Sequence, residues 1–329
     1  MAIISALKPY YITQNTTTLT VRVKVYPRGG TAPTEWQHIF VKNSYDPLVA
    51  EDLRVDVSPV IRDYFNHVHE NIMPTGVEIP VDGMELAVDI ETNGPPTSNN
   101  IAYYSTNPPP LGQFHQFTNF QRQINKCQDN KVYLTFEATN VTTVRWETNN
   151  GHIHDEAVTP GTGIRVVPSI HSGLDLTDAR TLTISLLGSG GAVASSQEYL
   201  LVHEYDTDES IGYVNILGAW EFFPILGKNT YTYTGEGKEY RSFEDGWLKA
   251  YNGNAETLVT VNTGWVDDGF YTVIYQLLAS NHIVYYSGSN YDFGLVMTTK
   301  SVQRPHRIAD KMINYTLNFR RVDKLIPIV

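Results

Sequence analysis

The chain has 329 residues, with 35 acidic against 24 basic side chains, a formal net charge of −11, and one cysteine, Cys127. Hydrophobic residues make up 41% and charged residues 18%, below the ~25% charged of an average globular chain, which excludes the high-charge composition of disordered proteins. There is no Lys/Arg cluster to neutralise phosphates, no second cysteine for an intramolecular disulfide, and no apolar run near the ~20 residues that span a bilayer.

At roughly 100–200 residues per domain, the length predicts two or three domains. We place them at 1–112, 113–205 and 206–329. In the first, residues 18–26 alternate apolar and polar at period two, a strand with one buried face that ends in the turn residues Pro27-Arg28-Gly29-Gly30. Residues 36–41 read as the returning strand and 53–57 as another. Ser58-Pro59 opens a short helix over 60–65, with serine as its N-cap and proline at the first helical position. One or two strands follow in 78–92. The Asn- and Pro-rich stretch 93–112 reads as a long loop or linker.

In the second domain, short strands at 132–138, 142–148, 163–167, 181–187 and 197–202 are separated by Gly-rich turns, the pattern of an antiparallel sandwich of immunoglobulin-like size. In the third, Phe270, Val273, Ile274, Leu277 and Leu278 recur at helical period, predicting a helix near 267–279 with Asp267 and Asp268 at its N-terminus. Strands follow at 282–286, 295–300 and 312–320. The expected fold is mainly β: two or three antiparallel β-sandwich-like domains with a few short helices. No internal repeat of about 20–50 residues is present.

Residues able to carry chemistry are sparse. His152 and His154 would face one side of a strand and form the best candidate metal pair, but no third ligand accompanies them, and a solvated turn is the preferred reading. His67, His69 and Glu70 follow the first helix and are read as serving its C-terminal turn. The acidic stretch 205–210 lacks the glycine and distal glutamate of a calcium loop. Gly188-Ser189-Gly190-Gly191 is a hairpin turn rather than a nucleophile elbow, and Cys127 has no adjacent histidine. A carboxylate pair for sugar hydrolysis has no support in the sequence, its separation being a property of the fold. The expectation is no catalytic residue, no bound metal and no cofactor. Aromatics stand out instead: Trp220, Phe222 and Phe223, then Tyr231, Tyr233 and Tyr240, could form a platform that stacks on sugar rings or anchors a protein partner, and sheet core and subunit contact is the preferred reading. With Trp265, Tyr315, Arg320 and Arg321, the first three complete the candidate interface set.

Five segments carry a resemblance to a known family. Tyr213-Val214-Asn215-Ile216-Leu217-Gly218-Ala219-Trp220-Glu221 is similar to an F-(V/I)-N-x-(F/Y)-G-A-W-(D/E) segment of virion structural proteins from tailed phages of Bacteroidetes hosts, crAss-like phages among them. Val261-Asn262-Thr263-Gly264-Trp265-Val266-Asp267-Asp268 resembles their L-N-T-G-(F/W)-(I/V)-x-E stretch. Val273-Ile274-Tyr275-Gln276-Leu277-Leu278-Ala279-Ser280 resembles (V/I)-(I/F)-x-(Q/D)-L-L-x-S. Residues 310–319 match (N/D)-D-K-L-I-(N/D)-Y-T-(I/L)-x-F, and residues 55–64 are similar to F-x-I-S-x-(L/I)-I-R-D-Y. Ile216-Leu217 departs from the commoner basic-aromatic pair, and Asp268 stands where glutamate is usual.

The resemblance implies a non-enzymatic tail, neck or collar subunit, made in the bacterial cytoplasm and built into the virion. Its partners would be other copies of itself and neighbouring virion proteins, with no direct nucleic-acid binding and no membrane. A receptor- or glycan-binding module is the alternative. The loop 93–112 and the tail 322–329 are candidates for reaching a neighbour by strand addition.

Overall fold

The computed structural model describes residues 2–28, 30–71, 84–93, 97–105, 116–118, 123–125, 133–137, 139–158, 164–168, 170–202, 209–241, 248–287, 290–303 and 312–322. The expectations for Cys127, for most of the acidic stretch 205–210 and for residues 323–329 of the tail lie outside them. The fold is mainly β, with several antiparallel sheets and two α-helices among the described residues.

The N-terminal part contains β1 (Ile3–Ser5), β2 (Tyr11–Thr16), β3 (Thr18–Pro27), β4 (His38–Asn43), β5 (Glu51–Asp56), α1 (Ser58–Asn71), β6 (Glu85–Glu91) and β7 (Thr97–Tyr103). Five of these strands form a sheet in the order β1-β7-β6-β3-β4, and β2 pairs with β5 beside it. The alternation of β3 puts Leu19, Val21, Val23 and Val25 in the core, where Ile61 and Phe65 of α1 join them. The helix start differs from expectation in its donor set. The Asp56 carboxylate, not the Ser58 hydroxyl, does the capping: its Oδ1 accepts from the amides of Ser58 and of Tyr10, each at 3.0 Å.

The helix also runs past residue 65 to Asn71, because His69 is drawn into the core instead of facing solvent. Residues 97–103, expected in a loop, are β7, which lies between β1 and β6. Its Ile101, Ala102 and Tyr103 are buried, and their packing outweighs the loop-forming composition on either side.

The middle part has β8 (Gln123–Asn125), β9 (Tyr133–Glu137), β10 (Val141–Thr148), β11 (Ile153–Ala157), β12 (Ile164–Pro168), β13 (Thr181–Gly188) and β14 (Val193–Val202). A sheet β11-β10-β13-β14-β8 and the pair β12-β9 share one core, centred on fully buried Trp146, whose Nε1 donates to Pro168 O at 3.2 Å. Two layers pinned by an indole form a sandwich without any disulfide.

The last part has β15 (Glu209–Val214), β16 (Trp220–Pro224), β17 (Thr230–Arg241), β18 (Leu248–Asp267), α2 (Tyr271–Ala279), β19 (Ile283–Ser287), β20 (Asn290–Met297) and β21 (Met312–Val322). They make one sheet, β16-β15-β19-β20-β21-β18-β17. The expected helix near 267–279 starts later than predicted: β18 runs to Asp267, a 3-10 turn spans Asp268–Phe270, and α2 follows.

Strands β15, β16 and β19 are buried on both faces. Val214, Trp220, Phe222, Val284 and Tyr286 belong to the same hydrophobic cluster as the N-terminal sheet. Ile211, Tyr213, Phe223, Ile283 and Tyr285 pack on the other face with Val273, Ile274 and Leu277 of α2. The N-terminal core therefore continues without a break onto the back of the last sheet.

Candidate interaction surfaces

The loop joining β15 to β16 turns on a buried polar hub. Asn215 donates through Nδ2 to Phe117 O at 2.8 Å and to Glu221 Oε1 at 2.9 Å. Its Oδ1 accepts from the amides of Leu217 at 2.9 Å and Ala219 at 3.1 Å. Gly218 closes the turn at φ 82°, a left-handed conformation that favours glycine. Tyr213 donates its hydroxyl to Glu221 Oε2 at 3.1 Å; burial, and then the nearby carboxylate, push the phenol well above its usual range. The Asn, Gly and Glu of this segment are thus accounted for by local folding.

The segment 261–266 is a second local device. Pairing of β18 with β21 slips between Asn262 and Trp265, a bulge in which Gly264 takes φ +69°. Asn262 Oδ1 accepts from the Gly264 amide at 2.8 Å, and Thr263 Oγ1 accepts from the Tyr315 amide at 3.0 Å. The bulge throws Trp265 outward, where it is 63% exposed. Beyond it, Tyr271, Tyr275 and Leu278 form the outer stripe of α2, so Leu278, expected on the buried face, sits at its rim.

The candidate contact residues divide sharply. Trp220, Phe222, Phe223 and Tyr315 are buried, which corrects their assignment to an interface. Trp220, Phe222 and Phe223 lie on a strand covered on both faces, where outward and inward side chains share one apolar character and sequence could not separate them, whereas Tyr315 lies on the buried side of the alternating β21. Trp265, Arg320 and Arg321 are at the surface. Arg320 lies 3.6 Å from Glu256, and the Arg321 guanidinium lies 4.4 Å from the centroid of the Phe293 ring.

The histidines do not converge as a chelate. His152 Nε2 faces Asp175 Oδ2 at 3.8 Å, while His154 stacks on His171 with ring centroids 3.7 Å apart. No group of three or more potential ligands occurs among the described residues. His69 is a core residue, its ring 5.2 Å from Tyr104, 5.3 Å from His282 and 6.4 Å from Trp220. Phe65, one turn earlier on the same helix, stacks on it at 6.3 Å, but Tyr104, His282 and Trp220 could not have been read from the helix alone.

One buried acid cluster was not foreseen. Arg28 Nη1 lies 2.5 Å from Glu85 Oε2, and Tyr103 and Glu137 act on the same carboxylate. Burial outweighs the Arg28 pair and holds the Glu85 carboxyl above the usual range; burial and both carboxylates push the Tyr103 hydroxyl up. A raised acid binds its proton more tightly in the folded state. Its contribution to stability is full below the unfolded pKa of ~4.5 and declines as pH rises through the folded value. The Glu85→Gln variant is therefore expected to lose most against the parent near pH 4.5 and less at pH 7, read as Tm differences across that range. A gap that widens with pH would mean that the Arg28 pair dominates.

Exposed apolar side chains gather elsewhere. Ile39 and Val41 of β4 are exposed, as is Val49, and between them Tyr45 is 98% and Leu48 91% exposed. Among the described residues no helix is long and apolar enough to cross a membrane. No protein-family model matches the chain, and no curated protein is significantly similar to it.

Proposed function

We propose that this protein is a non-enzymatic structural subunit of a phage virion, belonging to its tail, neck or collar and assembling through subunit contacts into a ring. The observation that carries the reading is how the resembling segments meet. The amide of Ile216, in the first, donates to Gln276 Oε1 of the third at 3.0 Å. Thr263 of the second accepts from Tyr315 of the last. Residues drawn from four separated stretches thus interlock within one sheet and its helix, as expected of a shared folding unit. The surface aromatics Trp265, Tyr271 and Tyr275 supply contact area suited to neighbouring virion proteins. The same aromatics favour, as a second reading, a receptor- or glycan-binding module.

Light scattering and negative-stain imaging of the purified protein, at micromolar concentration over a range of salt, test the proposal. A discrete oligomer with rotational symmetry, and no turnover of generic glycosides or esters, is the expected result. A strict monomer that binds glycans saturably would replace it with the second reading. Robust turnover would overturn both.

A further inference from the structure

The first sheet and the middle part meet across a buried polar layer. Glu85 opens β6 and stands directly opposite Tyr103 of β7, whose hydroxyl is hydrogen-bonded to its carboxylate. Arg28, just past the end of β3, pairs with the same carboxylate at 2.5 Å. The second acid comes from the middle part. Along β9, Tyr133 joins the core of the first sheet, while Leu134 and Phe136 join the core around Trp146. Alternation therefore turns Glu137 to the same side as Tyr133, toward the first sheet. Ile164 of β12, paired directly with Glu137, packs on that core as well.

The charges of this layer do not balance. Glu85 is 8% and Glu137 5% exposed, and Arg28 is the cation that faces both. With both carboxylates ionised, one negative charge stays uncompensated at a seam shut off from water, which is costly. Neighbouring acids in such a site avoid the cost by keeping a proton on one of them. Glu85 is placed to hold it: burial keeps its carboxyl above the usual range against the pull of Arg28, and the Glu137 charge pushes the same way. Without that proton, the cheapest relief is to part the seam and let water reach both acids. Parting it uncovers Tyr133 and Ile164 but leaves the Trp146 core closed between its own two layers.

We propose that Glu85 and Glu137 form a proton-dependent latch between the first sheet and the β9–β12 layer of the middle part, shut while Glu85 carries a proton and loosened when the proton leaves. The groups that face Glu85 in the latch are Arg28, Tyr103 and Glu137. The direction of the effect follows from linkage. A carboxyl held up in the closed joint and returned to ~4.5 by water ties opening to the release of one proton, so opening is favoured as pH rises. The opening constant grows by up to about tenfold per pH unit above ~4.5 and levels off beyond the folded value.

Brief hydroxyl-radical labelling of the full chain between pH 5 and 8, read by mass spectrometry, tests the latch. Labelling at Tyr103, Tyr133 and Ile164, all buried at the seam, is expected to rise at least about fivefold relative to Trp146 and Tyr199 of the middle core. In Glu85→Gln, which is neutral at every pH, that rise should vanish. In Glu137→Gln, which removes the charge that pushes Glu85 up, the rise should stop at a lower pH and reach a smaller total. Seam labelling that stays level in the parent, or falls with pH, would overturn the latch. So would a rise that survives in Glu85→Gln, since another group would then carry the proton. A rise shared equally by Trp146 and Tyr199 would mean general unfolding and would overturn it too.

Discussion

Replacing Asn215 with alanine is expected to destabilise the protein by about 3–4 kcal/mol, since buried donors and acceptors left without partners cost about 1–3 kcal/mol each. The substitution strips an acceptor from the amides of Leu217 and Ala219 and a donor from Phe117 O and Glu221. Urea unfolding at pH 7 measures it. The Asn215→Asp variant sharpens the test. It keeps the acceptor but sets a second carboxylate beside Glu221, so its loss should shrink on acidification while that of Asn215→Ala does not. A loss below about 1 kcal/mol for Asn215→Ala would mean that the hub is dispensable.

The second large effect separates core from surface. Trp220 lies in the cluster shared by the N-terminal sheet and the back of the last sheet, and Trp220→Ala is expected to cost about 3–5 kcal/mol in stability. Trp265 is exposed on its bulge, and Trp265→Ala should change stability by no more than about 0.5 kcal/mol, with any effect falling on self-association. Paired unfolding and light-scattering measurements distinguish the two. A stable Trp220→Ala variant that fails to associate would return that indole to the interface.

What could be read from the residues followed the regularity of their surroundings. Residues 18–26 lie on a strand with one wet face, and their alternation predicted β3 to within a residue. The mainly β character of the middle part was legible from its short strands and the Gly-rich turns between them. Residues 97–103 were missed because prolines and asparagines flank a short apolar run whose burial depends on β1, nearly a hundred residues earlier in the chain. His69 misled for a related reason: its neighbours Tyr104, Trp220 and His282 come from distant segments. The Asn-Thr-Gly at 262–264 was legible as a motif, but its role as a bulge that turns Trp265 outward required the register with β21. That β17 and β18 pair on beyond β21 left little trace in the sequence, since a strand's length says nothing of where its partner stops.

The position of β21 has a consequence for how the chain is made. It is the last described strand, and it lies between β20 and β18 in the middle of the sheet. Until it emerges, β16-β15-β19-β20 and the β18–β17 hairpin are two separate fragments. The back of the first fragment, which completes the N-terminal core, has to wait for its own support. Folding during synthesis therefore cannot finish piecemeal from the N-terminus. The nascent polypeptide holds an unsealed sheet until residues 312–322 have left the ribosome, and such pairing across long stretches of sequence is slow and prone to misassociation. Cells producing this protein should gain more soluble product from slowed translation or lowered temperature than from any change near residue 1, and shortening the chain before residue 322 should leave it insoluble.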